Sequence, residues 1–370
     1  MSNKFCRFLS NGYKINVDGQ KLLWSPCCHY TKKVELGSDD FQKELAYTSN
    51  ATGWLPECQT CAIREPYGAD LFSPTRKNSL VRIPKDSNLG DCVNLEISFD
   101  IKCNAACASC GSWCSSLWGA INNKNNDNAK NFSYKFLTST SDLLLQKLID
   151  NVPLDKLRTV VILGGEPFFS DAHLKLLSHI NNVHPDPSKI RLMYKTNGSI
   201  YPSKEDQKYW HLYKDIVISF SIDGIDEQFN YLRWPLKWEK VEQVIKQFVA
   251  LEKTNVKLCF TNTISPLNLL YWNDLEKWVG NNVPRGVLLD PNILVYPNRC
   301  EGELDLSYAP IGMRHIITNQ YDNTHNLNKF LSAIQINSNF KGMLTYLRSI
   351  DRARDLNWKN VFFKAVEFLQ

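Results

Sequence analysis

The chain is organised around the stretch Cys103-Asn-Ala-Ala-Cys107-Ala-Ser-Cys110, whose three thiols are spaced by three residues and then by two. An apolar, β-favouring run from 93 to 99 precedes it, so the thiols are expected on a loop that leaves a strand. Thiolates are soft ligands for iron–sulfur clusters and for zinc. Three thiolates leave one iron of a cubane cluster open. A closed zinc site needs a fourth ligand, for which Cys114 is the nearby candidate.

Strand-like runs alternate with amphipathic helices between residues 86 and 300. Thr159–Leu163 is apolar throughout, which is typical of a parallel strand covered on both faces. The residues 238–253 carry one apolar helical face, and 204–213 is also predicted to be helical. Six strand–helix units predict an α/β fold with a parallel sheet and right-handed crossovers.

Open barrels of this kind place their sites at the carboxyl ends of the strands. The chemically suggestive segments fall at predicted strand ends: the cysteine loop, Gly164–Pro167, Thr196–Gly198, Ser221–Gly224 and Asn262. Nothing about the cysteine spacing requires this placement. It is therefore independent support for one site.

The cysteine spacing after a strand, followed by Gly164-Gly-Glu-Pro167 after the next strand, resembles the radical S-adenosylmethionine (SAM) enzymes. The resemblance covers residues 94 to 296 and implies a partial (β/α)6 TIM-like barrel. It implies that Cys103, Cys107 and Cys110 hold a [4Fe-4S] cluster whose open iron binds SAM. It also implies reductive cleavage of SAM to a 5′-deoxyadenosyl radical, which abstracts hydrogen from a peptide or small polar substrate. Ser109 departs from the family, which usually has an aromatic or large apolar residue before the third cysteine.

The resemblance further implies which residues contact SAM. The diglycine turn permits close backbone approach and would receive the amino group of SAM, while Glu166 binds that ammonium or holds the turn. A guanidinium grips carboxylates, so Arg233 either binds the carboxylate of SAM or forms a surface salt bridge. The predicted SAM-binding set is Gly164, Gly165, Glu166, Pro167, Asn197, Ser219, Ser221, Asp223, Arg233 and Asn262. In this set Asp223 belongs either to the site or only to the turn after its strand.

A second group of cysteines surrounds a predicted hairpin near the N-terminus, with its turn at Asp18-Gly19. Adjacent cysteines on an extended chain point in opposite directions, so only one of Cys27 and Cys28 should ligate, and Cys27 is favoured. The set resembles the auxiliary-cluster module called SPASM or twitch, which usually follows the barrel and here precedes it. A structural zinc site and unmetallated thiols stay open as alternatives. The predicted ligands of the auxiliary [4Fe-4S] cluster are Cys6, Cys27, Cys58 and Cys61.

The length of 370 residues allows one large domain with appendages. The expected division is a cysteine-rich module at 1–85, a partial barrel at 86–300 and a C-terminal helical segment at 301–370. The formal charge of +5 is mild and does not argue for a nucleic-acid partner. No apolar run approaches the ~20 residues that cross a bilayer, and the N-terminus has no signal core. Twelve cysteines without a secretory signal predict metal ligands and buried thiols in a cytoplasmic protein.

Two functions of different classes follow from these patterns. One is a radical SAM enzyme that receives its electron from a donor such as flavodoxin or ferredoxin. The other is a non-enzymatic zinc-binding adaptor or nucleic-acid-binding protein that uses the same cysteines. The Gly164–Pro167 turn at a strand end favours the first.

Overall fold

The structure is a computed structural model that describes residues 6–18, 20–64, 79, 82–125, 142–251, 255–322, 325–332, 334–337 and 339–369. The chain forms two compact units. The first unit comprises residues 1–102, 133–195 and 202–218, and the second comprises 103–132, 196–201 and 219–370. The predicted domain boundaries at 85 and 300 stay predictions.

The described residues contain a mostly parallel sheet with helices between its strands, which confirms the α/β fold class. The strands are β1 Gly12–Asp18, β2 Lys21–Ser25, β3 Val34–Glu35, β4 Asn94–Ser98, β5 Thr159–Leu163, β6 Arg191–Thr196, β7 Asp215–Ser221, β8 Val256–Ile264 and β9 Tyr296–Arg299. Their order is β3-β2-β1-β4-β5-β6-β7-β8-β9. Strands β4 to β9 follow one another in chain order, which is the strand order of a partial (β/α)6 barrel.

The helices of the described residues lie between these strands and in the C-terminal segment. They are α1 Phe8–Asn11, α2 Asp39–Ser49, α3 Gln59–Arg64, α4 Ser116–Asn125, α5 Asp142–Asn151, α6 Ala172–Val183, α7 Asp226–Leu232, α8 Trp238–Val249, α9 Trp272–Asn282, α10 Ile311–Thr318, α11 Asn326–Ser332, α12 Lys341–Arg354, α13 Trp358–Val361 and α14 Phe363–Val366. Within the described part of the chain, no helix is long and apolar enough to span a bilayer.

The predicted N-terminal hairpin is confirmed, and it extends the sheet of the first unit. Strand β1 pairs antiparallel with β2 and parallel with β4, with Lys14 opposite Glu96. Its buried face is aromatic: Trp24 and Phe41 pack edge to face with ring centroids 5.2 Å apart. Ser38 caps α2 by accepting the Phe41 N–H at 3.2 Å, which fixes the helix over this face.

The apolar patterns of the central segment are confirmed in detail. Four residues of β5, Thr159 to Ile162, are buried, as expected for a strand covered on both faces. In α8 the buried positions repeat at helical spacing, from Val241 through Val244 and Ile245 to Phe248. The prediction of a helix over 204–213 is wrong, because that segment forms turns and a short 3-10 helix at Trp210–Leu212.

Candidate active site

The loop that carries the three clustered thiols is held by backbone hydrogen bonds inside the second unit. The Ala106 N–H donates to the carbonyl of Trp234 at 2.6 Å, and the Ala108 N–H donates to the carbonyl of Leu232 at 2.8 Å. These bonds hold residues 106–108 against the C-terminal end of α7 and the residues that follow it. Buried backbone amides need hydrogen-bond partners, and the carbonyls of Leu232 and Trp234 provide them here.

Side chains at the start of α4 hold two carbonyls of the same loop. The Ser115 hydroxyl donates to the carbonyl of Ala105 at 2.6 Å, and the Trp118 indole N–H donates to the carbonyl of Cys107 at 2.8 Å. Both donors are buried. The segment that follows the loop therefore holds it in place.

Helix α12 supplies two further contacts that the sequence analysis missed. The Tyr346 hydroxyl donates to the carbonyl of Ala108 at 2.8 Å. The Arg354 Nη1 donates to the carbonyls of Tyr231 at 3.0 Å and Ala106 at 3.4 Å. The guanidinium carbon of Arg354 lies 4.7 Å from the centroid of the Tyr231 ring. The C-terminal segment, which was expected only to be helical, thus positions the cysteine loop. The available signal was the amphipathic pattern of α12, which ends at this arginine.

Replacing Arg354 with methionine is expected to loosen the cysteine loop. The change keeps most of the apolar stem but leaves the carbonyls of Ala106 and Tyr231 without this donor, so we expect a loss of about 1–3 kcal/mol in the free energy of unfolding. Hydrogen exchange should accelerate at the amides of residues 103–110. The exposed Arg352 on the same helix provides the control, Arg352→Met, which should leave both quantities unchanged. Unchanged exchange in Arg354→Met would show that α12 does not position the loop.

Three thiols of the second unit form a hydrogen-bonded series. The hydrogen bond with Cys110, together with burial, raises the pKa of Cys107 well above its usual range. The same bond lowers the pKa of Cys110, but a hydrogen bond with Cys114 and burial outweigh it and raise that pKa to about 12. The bond with Cys110 lowers the pKa of Cys114. Cys114 is therefore part of this thiol group, as a fourth ligand would have to be.

The donor set fits an iron–sulfur cluster by its chemistry: three soft thiols on one fixed loop, one of them buried and two half-buried. Among the described residues, no three Cys, His, Asp or Glu side chains are already arranged as metal ligands. The ligand roles of Cys103, Cys107 and Cys110 therefore stay predictions.

Arg233 and Asp223 form a buried ion pair beside the thiols. The Arg233 Nε lies 2.7 Å from Asp223 Oδ2, and its Nη1 lies 3.8 Å from Cys107 Sγ. Burial would lower the pKa of Arg233, but Asp223 and Cys107 outweigh burial and raise it. Asp223 Oδ1 also accepts the Thr263 N–H at 2.8 Å. Arg233 therefore forms a salt bridge, but a buried one and not the surface one that was the alternative. The roles of Arg233 and Asp223 towards SAM stay predictions.

Asn197 lies next to the first cysteine of the loop. Its Nδ2 donates to Asn104 Oδ1 at 3.0 Å and lies 3.8 Å from Cys103 Sγ, while its Oδ1 accepts the Ser199 N–H at 2.9 Å. Asn104 in turn donates to the Ser199 hydroxyl at 2.9 Å. The side-chain amides of Asn104 and Asn197 therefore stabilise the start of the cysteine loop. A role for Asn197 in binding adenosine stays a prediction.

The other polar candidates of the second unit lie at the ends of β7 and β8. Ser219 and Ser221 share one face of β7, with Ser219 buried and Ser221 half-buried. Asn262 is buried, and its Oδ1 accepts from Asn268 Nδ2 at 3.1 Å. Asn268 also donates to the carbonyl of Asp223 at 2.8 Å, which links the ends of the two strands.

The diglycine turn packs against the residues that directly precede the cysteine loop. Within the first unit, the Gly165 N–H donates to the carbonyl of Asp100 at 3.1 Å and the Glu166 N–H to that of Lys102 at 2.7 Å. A Cβ at Gly165 would lie 2.2 Å from the Lys102 carbonyl oxygen, so only glycine permits this approach. Gly164 has a φ of 149°, which also favours glycine. Lys102 is followed by Cys103 in the chain.

Glu166 and Pro167 start a short 3-10 helix over Pro167–Phe169. The Glu166 carboxylate is fully buried and accepts the Phe168 N–H at 3.4 Å. This contact supports the expectation that Glu166 holds the turn. A role of Glu166 towards an ammonium group stays a prediction.

A cavity of about 600 Å³ opens beside the third cysteine, inside the second unit. Its lining includes Ser109, Cys110, Trp118 and Cys300. Cys300, which the sequence left apart from both cysteine groups, is buried, and burial and the charge of Asp223 raise its pKa. The signal was its position directly after β9, at the carboxyl end of a strand.

The N-terminal thiols form their own group in the first unit. Cys6, Cys27 and Cys58 pack against one apolar cluster, and Cys61 interacts electrostatically with Cys6 and Cys27. Burial raises the pKa of Cys6, of Cys27 and of Cys58, the last to about 11. Cys28 is exposed. The four predicted thiols thus lie in one region of the first unit, but within the described residues they are not arranged as metal ligands, and their role as ligands stays a prediction.

Comparisons with known proteins give distant likenesses only. No family model and no curated protein matches the chain. It is similar to native anSMEcpe with bound AdoMet, at 16% identity and a TM-score of 0.44 over 66% of this chain and 63% of that one. It is also similar to SuiB of Streptococcus suis bound to S-adenosylmethionine, at 15% identity and a TM-score of 0.34 over 76% and 61%. The chain thus spans about three fifths of the length of these structures. At such TM-scores, these likenesses assign neither an activity nor a substrate to it.

Proposed function

We propose that this chain is a radical SAM enzyme, in which Cys103, Cys107 and Cys110 hold a [4Fe-4S] cluster and SAM binds its open iron. One observation carries the proposal: the diglycine turn is hydrogen-bonded to residues 100–102, and the cysteine loop begins at the next residue. A turn with accessible backbone groups and a loop of soft ligands are thereby tied to one short segment. A structural zinc site would not need that turn.

The cluster would supply one electron to the sulfonium of SAM and so break its bond to the ribose. The residues of the chain bind SAM and orient it. Turn carbonyls around Gly164 and Gly165 accept from the ammonium of SAM, and Arg233 supplies positive charge next to the Cys107 thiolate. Ser221, which shares a strand face with Ser219, is proposed for the ribose or the methionine carboxylate of SAM. Asn197 and Asn262 are proposed for the ribose or the adenine.

The cavity beside Cys110 is the proposed place of the adenosine part of SAM. Its volume of about 600 Å³ lies within the usual range of about 300–1,000 Å³ for small-molecule sites. Trp118 supplies an aromatic surface, and the small Ser109 leaves the room that an aromatic residue would fill. This cavity offers the adenine its contacts in place of the missing aromatic residue.

The proposal extends to a second cluster and to partners. Cys6, Cys27, Cys58 and Cys61 would hold an auxiliary [4Fe-4S] cluster. A flavodoxin or ferredoxin in the cytoplasm would provide electrons, and the substrate would be a peptide or a small polar molecule. No two of the twelve cysteines form a disulfide.

One observation favours a second candidate, a non-enzymatic zinc-binding adaptor. Cys114 is hydrogen-bonded to Cys110 and provides a fourth thiol in the same group. Four thiols are a complete ligand set for structural zinc. Cys114 is therefore the residue at which the two functions diverge.

Anaerobic reconstitution of the full chain tests the proposal. The protein is incubated with iron and sulfide, separated from the excess, and supplied with SAM and dithionite. We expect brown, cluster-bound protein and release of 5′-deoxyadenosine, with the variant Cys114→Ser equally active. Stoichiometric zinc that resists exchange, without SAM cleavage, would instead establish the zinc protein.

A further inference from the structure

We infer that the buried guanidinium of Arg354 raises the reduction potential of the proposed [4Fe-4S] cluster by placing an unpaired positive charge beside the cysteine loop. The inference deepens the proposed function and rests on it. Arg354 is the last residue of α12 and belongs to the same unit as the loop. Besides holding the loop in place, this residue would make the cluster easier to reduce.

The hydrogen bonds of Arg354 orient its charge but do not neutralise it. The side chain is 4% exposed, and its Nη1 donates to the carbonyls of Tyr231 and Ala106. Its Nε donates to the carbonyl of Ile350 at 3.3 Å, and its Nη2 has no hydrogen-bond partner. Carbonyl oxygens carry only partial charges. Within the described part of the chain, no carboxylate forms an ion pair with this guanidinium.

The acidic residue one turn earlier on α12 is engaged elsewhere. Asp351 Oδ1 accepts the Tyr231 hydroxyl at 2.7 Å, and its Oδ2 accepts the Trp358 N–H at 3.1 Å. The guanidinium carbon of Arg354 instead lies 4.7 Å from the ring centroid of Tyr231 and 5.9 Å from that of Trp118. Aromatic rings stabilise a cation without removing its charge. Arg354 therefore keeps a net positive charge in a water-poor place.

The other buried arginine at the loop differs in this respect. Arg233 lies 3.8 Å from Cys107 Sγ, but its Nε lies 2.7 Å from Asp223 Oδ2. That ion pair has no net charge. Of these two arginines, Arg354 is therefore the one whose charge acts on the loop without a compensating carboxylate.

The sign of the effect follows from the charge that reduction adds. The Arg354 Nη1 lies 3.4 Å from the carbonyl oxygen of Ala106, and the peptide bond of that carbonyl leads to Cys107. One electron makes the cluster more negative, and a nearby buried cation stabilises the added charge. Loss of the cation should therefore lower the potential. Loosening of the loop should raise it, because entering water also stabilises the added charge.

A redox titration of the reconstituted full chain tests the inference. The reduced cluster is followed by electron paramagnetic resonance, and the signal that changes on addition of SAM identifies it. Arg354→Gln keeps an amide donor without the charge. At a fixed potential we expect its ratio of reduced to oxidised cluster to fall about tenfold, which is about 59 mV for one electron. Arg354→Lys keeps the charge and should stay close to the unchanged chain, as should the control Arg352→Gln at an exposed position of α12.

A second variant keeps the test decisive if Arg354→Gln does not assemble a cluster. Ser349 is exposed and lines the cavity beside Cys110, so Ser349→Glu adds an anion without disturbing the loop contacts. We expect its potential to fall as well. An unchanged potential in Ser349→Glu would overturn the inference, because charges on α12 would then not reach the cluster.

Two results in the Arg354 variants would also overturn it. One is an equal or higher potential in Arg354→Gln, and the other is an equally lowered potential in Arg354→Lys. Either result, with a cluster that responds to SAM, removes the inference and leaves the proposed function standing. The absence of a SAM-responsive cluster in the unchanged chain would instead remove the proposed function, and the inference with it.

Discussion

Cys107→Ala is expected to reduce SAM cleavage to background. Cys107 is the central thiol of its loop, is 4% exposed, and contacts both Cys110 and Arg233. Removing its sulfur leaves two thiols and Cys114, which lies outside the predicted cluster set. The loop itself should persist, because the contacts of residue 107 with Trp118 are made by its backbone carbonyl. The measurement is 5′-deoxyadenosine released per reconstituted protein, together with iron content.

Two matched changes separate the roles of the thiols. Cys58→Ala removes a predicted auxiliary ligand and should preserve SAM cleavage while uncoupling it from substrate turnover. Cys259→Ala removes a buried thiol of β8 that belongs to neither group and should preserve both. Full cleavage by Cys107→Ala would contradict the cluster assignment. Loss of cleavage in all three variants would point to the fold and not to the ligands.

The fold was predictable where one local pattern decides the structure. Four of the five residues of Thr159–Leu163 are apolar, and the apolar residues from Val241 to Phe248 repeat at helical spacing, so each pattern favours one mode of burial. The segment 204–213 shows the limit of this method. Its residues have acceptable helix propensity, but Asp206 Oδ2 accepts from both the Ser203 N–H and the Ser203 hydroxyl at 2.7 Å, which stabilises a turn instead.

The site was predictable as a set of strand ends, but its internal pairing was not. Spacing identified the thiols and the diglycine turn, because those residue types have few other uses. It could not show that Arg233 would pair with Asp223, or that Arg354 of a distant helix would hold the loop. Such contacts depend on the tertiary packing of the helices, and the hydrophobic face of α12 is the only sign of that packing in the sequence. Cys300 was missed for the same reason, since its strand ends after an irregular stretch.

Gly165→Ala is the second change with a large expected effect. The added Cβ would lie 2.2 Å from the Lys102 carbonyl oxygen and 2.6 Å from that of Ile101. Both neighbours are backbone atoms, so the turn must move away from residues 100–102. The hydrogen bond from Gly165 to Asp100 is then lost. Overpacking of this kind costs about 1–3 kcal/mol, and we expect SAM binding to be lost with it.

Gly286→Ala is the matched control, because a Cβ there meets nothing within 4 Å. This variant should have the same stability in urea unfolding, and the same binding of labelled SAM in equilibrium dialysis, as the unchanged chain. If Gly165→Ala lowers stability but binds SAM normally, the turn is structural and SAM binds elsewhere. If both quantities fall, the close approach between the turn and residues 101–102 is what SAM requires, because the added Cβ disturbs that approach. Stability and binding together therefore distinguish a tight turn from a ligand cradle, which neither measurement does alone.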